Sequence, residues 1–148
     1  GMRSGFVAGD AALIRQFLLY RTYHGSAMSP VVQSASIAAW NDEDHVVANR
    51  ALYRDKFARV TPMLSQVLDV RLPDAGFYLW AKVEGSDTDF ARALLALYNV
   101  TVLPGSFLAR EVEGNNPGAQ RIRMALVAET SECEEAARRI VQFVQCRR

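Results

Sequence analysis

The sequence contains little lysine, histidine or cysteine. Lys56 and Lys82 are the only lysines among 17 basic residues, and there are two histidines and two cysteines. The net charge of +1 excludes the strong positive field that nucleic acids or anionic membranes attract. Two cysteines are too few for a disulfide framework, and the predicted helix that carries Cys133 and Cys146 holds them about 20 Å apart. We therefore expect two free thiols.

Long apolar runs are also missing. No run reaches the roughly 18 residues that indicate a membrane-spanning helix, and no signal peptide is recognisable, so we expect a soluble cytoplasmic protein. The chain has no repeat, glycine-rich phosphate loop or metal-ligand cluster. Its 148 residues, half of them apolar, are enough to bury a core. This length favours one domain, or one domain and a piece of another.

Residues 1–41 predict one strand and two helices. Residues 4–9 form a short apolar run bounded by glycines, which is typical of a buried strand. A helix over 11–22 follows an aspartate that can cap it, and a second helix over 30–40 begins with a serine cap and a proline. These elements have no sheet of their own to complete. We expect them to be the remnant of a larger domain.

The remainder of the chain predicts a connector and a small domain. Residues 42–68 form a long, polar helix, broken or kinked near Pro62, that would link two domains. Residues 69–148 alternate strands and helices and should form a small α/β domain, an α+β sandwich. Its predicted elements are strands over 76–83, 100–103 and 121–127 and helices over 87–99 and from the capping box Ser131/Glu134 to about 145.

Arginines are the main candidates for binding. Arg3, at the entry of the predicted strand, could present its planar fork to a phosphate or carboxylate, or could be ordinary surface charge. Arg121 and Arg123 lie two apart on one strand and so share a face. There they need an anion, either a ligand carboxylate or a structural salt bridge. We expect His24 to be partly buried and hydrogen bonded, and His45 to be solvated.

Five blocks of sequence occur in an informative order. They are Arg3-Ser4-Gly5-Phe6, PVVQSA, PDAGFYLW, VTVLPG and the stretch from Asn115 through RIRMAL. In this order and spacing the chain resembles, over essentially its whole length, the class I/II aminotransferases of fold type I, which use pyridoxal 5'-phosphate. Within that family RSGFVAGD, YHGSAMSP and AGFYLWAKV resemble the succinyldiaminopimelate aminotransferases of bacterial lysine biosynthesis.

The resemblance implies a reaction and roles for three arginines. The reaction is amino-group transfer between an amino acid and a 2-oxo acid. Arg3 matches the arginine that pairs with the cofactor phosphate. Arg123 matches the arginine that forks onto the substrate α-carboxylate, and Arg121 is then its structural neighbour on the same face.

The resemblance also implies a homodimer and residues that shape the substrate site. Tyr23 and His24 match a loop that can reach the active site of the partner subunit, where they would contribute to substrate binding. Gly76 and the Pro104-Gly105 pair would form the wall of the small domain near the substrate.

The family's Schiff-base lysine matches no residue of this chain. By the resemblance it would precede residue 1, together with the aspartate that pairs with the pyridine nitrogen and the aromatic residue that stacks on the ring. Neither Lys56 in a predicted helix nor Lys82 at the end of a predicted strand lies in a matching motif. We therefore expect no catalytic residue here, no transaminase activity and no pyridoxal phosphate binding by this chain alone.

Two other interpretations stay open. The chain could be a free-standing module that uses Arg123 to bind an amino or keto acid without chemistry. It could also be a structural piece that completes a separately encoded N-terminal half. Without the large domain, the apolar segments over 4–40 would lack the surface on which they pack, and we expect self-association or disorder there.

Overall fold

The computed structural model describes residues 2–25 and 27–147. The chain forms two compact units, Gly1–Ala48 and Asn49–Arg148. The division into a domain remnant over 1–41, a connecting helix over 42–68 and a small domain over 69–148 stays a prediction.

The first unit is helical. α1 (Ala11–Tyr23) starts at Asp10, whose carboxylate accepts hydrogen bonds from backbone N–H groups of the first turn. α2 (Pro30–Trp40) starts at Ser29, whose hydroxyl does the same. These caps satisfy donors that a helix start otherwise leaves unpaired. Both predicted helices are confirmed, but neither contains a buried residue.

The buried strand predicted over 4–9 is wrong. These residues have no regular secondary structure and are all exposed. A strand needs a neighbouring strand to pair its N–H and C=O groups, and the described part of this unit contains none. Arg3 has a left-handed backbone with φ 57°, which differs from the extended entry that we expected. The segment makes one ring contact, between Phe6 and Trp40, with centroids 4.8 Å apart.

α3 (Asp44–Leu64) begins in the first unit and ends in the second. Of the predicted break or kink at Pro62, the break does not occur at that residue, because Pro62 lies within the helix. A kink there stays a prediction. The missing N–H of proline removes one hydrogen bond, and the helix ends two residues later. Pro62 therefore marks the end of the helix.

The second unit contains a three-stranded antiparallel sheet in the order β1-β3-β2. Its strands are β1 (Tyr78–Lys82), β2 (Leu103–Pro104) and β3 (Arg121–Ala125). β1 and β3 lie within the predicted ranges but are shorter. The strand predicted over 100–103 is mostly wrong, since β2 shares only Leu103 with that range. With α4 (Asp87–Tyr98) and α5 (Thr130–Gln145), the three strands confirm the predicted mixed α/β, α+β class.

One face of this sheet forms the core with α3, α4 and α5. Leu79 and Ala81 of β1 and Ile122 and Met124 of β3 are buried in one cluster. Burying a side chain such as leucine stabilises the fold by about 1.5–3 kcal/mol. The helices contribute the buried residues Val60, Leu64, Phe90, Leu94, Ala137, Ile140 and Phe143.

The last helix starts two residues earlier than the predicted capping box. Glu132, rather than Glu134, accepts a hydrogen bond from the backbone N–H of Glu129, at 3.3 Å. Cys133 on this helix is buried, Cys146 at its end is exposed, and both are free as expected. Burial raises the pKa of the Cys133 thiol.

Two loops approach closely beside β3. Gly105 opens a short 3-10 turn and lies against Gly118. A Cβ on Gly105 would overlap the carbonyl oxygen of Gly118 and would lie 2.8 Å from Cη2 of Trp80 and 2.9 Å from the carbonyl oxygen of Arg121. Because backbone atoms supply two of these contacts, only glycine fits.

We expect Gly105→Ala to lower the free energy of unfolding of the second unit by about 1–3 kcal/mol, the usual cost of overpacking. Urea unfolding followed by Trp80 fluorescence, in a Trp40→Phe background, measures this change. Gly5→Ala is the control, since no described atom lies within 4 Å of its Cβ, and it should leave the midpoint unchanged. An unchanged midpoint for Gly105→Ala would contradict the close approach.

Candidate functional site

The open face of the sheet carries basic and aromatic side chains. Trp80 pairs with Arg123 and Lys82 pairs with Arg121 across β1 and β3. Directly opposite residues of an antiparallel pair share a face, so Tyr78, Trp80 and Lys82 lie on the same side as both arginines. The predicted shared face of Arg121 and Arg123 is confirmed, since the core side chain Ile122 separates them.

Arg123 is half-buried on this face. Its guanidinium carbon lies 4.4 Å from the centroid of the Tyr78 ring. Among residues 2–25 and 27–147, no carboxylate forms an ion pair with Arg123. A half-buried guanidinium with donors available in its plane can bind a planar anion such as a carboxylate.

Arg121 has a different environment from Arg123. It pairs with Lys82 across the sheet, and like charges directly opposite each other destabilise a strand pair. The salt bridge that we considered for Arg121 does not occur within the described chain. The open face is therefore a basic strip that would gain stability from a bound anion.

Hydrogen bonds to the carboxylate of buried Asp87 and to Asn116 hold the loop beside this strip. Asp87 is 5% exposed, and its Oδ2 accepts a 2.8 Å bond from the backbone N–H of Ser106. The Asn116 side chain donates to the carbonyl of Ser106 at 3.1 Å and accepts from the N–H of Gly118 at 2.9 Å. The sequence pattern does not predict these hydrogen bonds. Asp87 follows the capping residue of α4, but its partners lie in a distant loop.

The predicted residues Arg3, Tyr23 and His24 belong to the first unit. Arg3 is exposed and forms no ion pair with the described residues. Tyr23 ends α1 and is 79% exposed. His24 is exposed, and its ring stacks on Tyr20 with centroids 4.5 Å apart. The expectation of a partly buried His24 is wrong, because no further element covers it within its unit.

The other sequence-selected residues divide between surface and core. His45 is exposed as expected, with Nδ1 lying 3.1 Å from an oxygen of Asp42. Lys82 is exposed at the end of β1. Lys56 is only 9% exposed, and its Nζ donates a 3.2 Å bond to the carbonyl of Leu126. Its spacing of one helical turn from buried Val60 is a signal that could have predicted this burial.

Gly76 lines a groove of about 1110 Å³ in the second unit. Its φ of +92° is a conformation that glycine adopts without strain, and no described atom lies within 4 Å of a Cβ placed there. The backbone conformation, rather than lack of space, therefore requires glycine. Aromatic and basic side chains line the groove, namely Tyr53, Phe57, Phe77, Arg50, Arg54 and Arg71.

Metal-binding clusters and membrane-spanning helices are both absent from the described residues. These residues contain no group of three or more His, Cys, Asp or Glu side chains that could hold a metal ion. No helix among them combines the length and apolar character needed to cross a membrane.

Solved structures show the same fold. An aminotransferase from Neisseria meningitidis Z2491 matches with a TM-score of 0.81 and 60% identity, over 97% of this chain and 37% of that one. A probable N-succinyldiaminopimelate aminotransferase from Thermus thermophilus matches with a TM-score of 0.68 and 26% identity, over 88% of this chain and 34% of that one. The described fold is that of part of an aminotransferase.

Sequence comparison agrees with this class. The family profile of aminotransferase class I and II matches residues 1–140. The chain therefore belongs to the class I and II aminotransferase family, and the resemblance noted from its motifs is confirmed. An LL-diaminopimelate aminotransferase of Nitratidesulfovibrio vulgaris is 33% identical over 148 residues, 97% of this chain and 36% of that protein. The chain spans about a third of the length of these relatives.

Family membership implies pyridoxal phosphate in the complete enzymes. The residues present fit one end of that group. The exposed guanidinium of Arg3 can bind a phosphate, whereas the neighbouring Ser4 hydroxyl is bonded to Ser36. Both lysines, Lys56 and Lys82, belong to the second unit and not to the segment around Arg3. The Arg3 guanidinium suits the phosphate of that group, and its role in holding the cofactor stays a prediction.

The Asp87 network should make the second unit sensitive to acid. Burial acts to raise the pKa of Asp87, but hydrogen bonds from Ser106, its own N–H and Gln120 together hold the pKa below its usual range. A lowered folded-state pKa stabilises the fold above the unfolded pKa of about 3.9, and this contribution is lost as pH falls through the folded pKa.

We expect Asp87→Asn to lower the free energy of unfolding at neutral pH by about 1 kcal/mol. The difference from wild type should shrink as the pH falls below about 3.9, the unfolded-state pKa, and through the lower pKa of folded Asp87. Urea midpoints measured from pH 7 to pH 3 test this. Asp89→Asn, on the same helix but in an exposed pair with Arg92, is the control and should change stability by less than about 0.5 kcal/mol. A pH-independent difference would contradict the ionised role of Asp87.

Proposed function

We propose that this chain is the C-terminal part of a pyridoxal-phosphate-dependent aminotransferase that transfers an amino group between an amino acid and a 2-oxo acid. The match of the family profile to residues 1–140 carries the proposal. The open face of the sheet supports it, because a rigid strand presents Arg123 without an internal carboxylate partner among the described residues.

In this proposal Arg123 binds the substrate α-carboxylate. Two parallel N–H donors of its planar fork match the two carboxylate oxygens, and the half-buried position strengthens the interaction relative to bulk water. Arg121 remains a neighbour that raises the local positive potential. The loop that contains Gly105, held by Asp87 through Ser106, borders the same side of β3.

Arg3 binds the cofactor phosphate in the complete enzyme. When bound, pyridoxal phosphate supplies the electron sink for the reaction. The two arginines recognise different anionic groups. Arg3 holds the cofactor phosphate, and Arg123 orients the substrate through its carboxylate. The catalytic lysine is supplied by another part of the enzyme.

Residues other than these two arginines contribute to substrate choice. Tyr23 and His24, both exposed, reach the site of the partner subunit in a homodimer. Gly76 shapes the groove beside α3. A diaminopimelate derivative of lysine biosynthesis is the substrate that we propose, because two relatives are named for LL-diaminopimelate and N-succinyldiaminopimelate.

The exposed apolar surface of the first unit supports a second candidate role for the same chain. α1 and α2 bury no residue, although Leu13, Leu18 and Ile37 are more than half exposed. Monomeric proteins rarely leave such surfaces uncovered. We propose that residues 1–41 pack on a large domain, either in one polypeptide or as a piece that completes a separately encoded half.

A chimera tests the enzymatic role. We expect activity when this chain replaces the matching 37% of the Neisseria meningitidis aminotransferase. Arg123→Gln should lower kcat/KM about 10- to 100-fold, the loss of charge-assisted hydrogen bonds to a carboxylate. Arg121→Gln, on the same face, is the matched control and should stay within about threefold. A folded chimera without activity, or equal losses in both variants, would contradict the assignment.

The isolated chain should behave differently. We expect no transaminase activity from it, and no stoichiometric attachment of pyridoxal phosphate to Lys56 or Lys82 after borohydride reduction and peptide mass spectrometry. Buried Lys56 is held by the Leu126 carbonyl, and exposed Lys82 has only the weak reactivity of a surface amine. A Lys82→Gln chain controls for such surface labelling. Full labelling of one lysine with accompanying activity would overturn this expectation.

A further inference from the structure

The stack of Arg123 on Tyr78 is a direct consequence of strand register. Tyr78 pairs with Ala125 and Trp80 pairs with Arg123, so Tyr78 and Arg123 are diagonal neighbours on the open face. Diagonal pairs are within reach when one partner is aromatic and the other is long. The guanidinium carbon lies 4.4 Å from the ring centroid, well inside the distance at which a cation is attracted to an aromatic face.

The contact places the central carbon of the guanidinium over the Tyr78 ring. The ring offers no conventional oxygen or nitrogen acceptor to the five N–H donors of this group. The structure therefore restrains the cation while its fork stays available. A restrained fork needs less ordering when a carboxylate binds.

The Tyr78 ring is linked to helix α3 through the adjacent Phe77 ring. The Phe77 ring lies 4.1 Å from the Tyr78 ring, and the Tyr53 ring of α3 lies 5.9 Å from Phe77. Tyr53 also packs against the hydrophobic core. The row of three rings thus joins the surface contact of Arg123 to the rigid part of the unit.

Of the two arginines of β3, only Arg123 makes an aromatic contact within the described chain. The cross-strand partner of Arg121 is Lys82, whereas Arg123 faces Trp80 and contacts the Tyr78 ring. Arg121 is half-buried like Arg123 and therefore serves as an internal reference.

We propose that Tyr78 is a positioning residue whose ring restrains the Arg123 guanidinium through this cation–π contact, so that its N–H donors stay available to a substrate carboxylate. The inference rests on the proposed carboxylate-binding role of Arg123. It adds that the aromatic ring at position 78, rather than its hydroxyl, determines how well Arg123 binds.

Nuclear magnetic resonance of the full 148-residue chain, labelled with 15N-arginine, tests this without requiring activity. In wild type the Nε–H resonance of Arg123 should be displaced by the ring current of Tyr78 relative to that of Arg121. Titration with pyruvate at constant ionic strength gives the affinity of each arginine for a carboxylate. The variants are Tyr78→Leu, which removes the ring, and Tyr78→Phe, which keeps it.

We expect Tyr78→Leu to move the Arg123 resonance toward that of Arg121 and to raise the dissociation constant for pyruvate about threefold to tenfold. Tyr78→Phe should leave the Arg123 resonance displaced from that of Arg121 and should change the dissociation constant for pyruvate by less than about twofold. Backbone amide spectra of β3 verify that each variant keeps the sheet. If Tyr78→Leu unfolds the sheet, wild type is compared instead with Tyr78→Phe and with pentafluorophenylalanine at position 78. The fluorinated ring weakens the attraction to a cation at nearly constant volume.

Several results would overturn the proposal. Unchanged affinity after loss of the ring would show that Tyr78 does not position Arg123, even if the resonance moves. Equal losses in Tyr78→Leu and Tyr78→Phe would assign the effect to the hydroxyl. If wild-type Arg123 does not respond to pyruvate, its proposed carboxylate role fails, and the positioning role fails with it. That case is distinguishable, because the wild-type ring-current shift would persist.

Discussion

The alternation of side chains along β3 is the constraint on which the second unit depends. Successive residues of a strand point to opposite faces, and Ile122 and Met124 are buried among three helices. Arg121 and Arg123 must then lie on the open face. Moving the register by one residue would bury two guanidinium groups without partners, at a large desolvation cost. The packing of the core therefore also sets the direction in which the binding face presents its cations.

The loops beside β3 show how a polar network can complete such a unit. Gly105 and Gly118 meet backbone to backbone, which brings carbonyl groups close together and excludes side chains. Asp87 and Asn116 supply the hydrogen bonds that hold this arrangement. The free energy of the contact depends on an ionised, buried carboxylate whose hydrogen bonds outweigh its desolvation. The basic strip thus has a rigid border.

By contrast, helices α1 and α2 of the first unit contain no buried residue. α1 and α2 satisfy their own backbone hydrogen bonds and start at side-chain caps, so they form without a core. Residues 4–9 have the composition of a buried strand, but a strand depends on neighbours that the described unit does not contain. The same apolar composition that would stabilise a large domain is exposed here. The helices form and the strand over 4–9 does not, because a helix pairs its backbone N–H and C=O groups internally and a strand pairs them with a neighbouring strand.

Local signals in the sequence determined the helices of both units, the places of β1 and β3 in the second and the shared face of Arg121 and Arg123. Such signals depend on residues a few positions apart, and the family motifs add the order of the blocks. The tertiary structure alone decided the stack of Tyr78 on Arg123, the bond from Lys56 to the carbonyl of Leu126 and the partners of Asp87. Each of these depends on register or on packing between segments far apart in the chain. Side-chain periodicity encodes which face a residue takes, but not which distant residue it meets there.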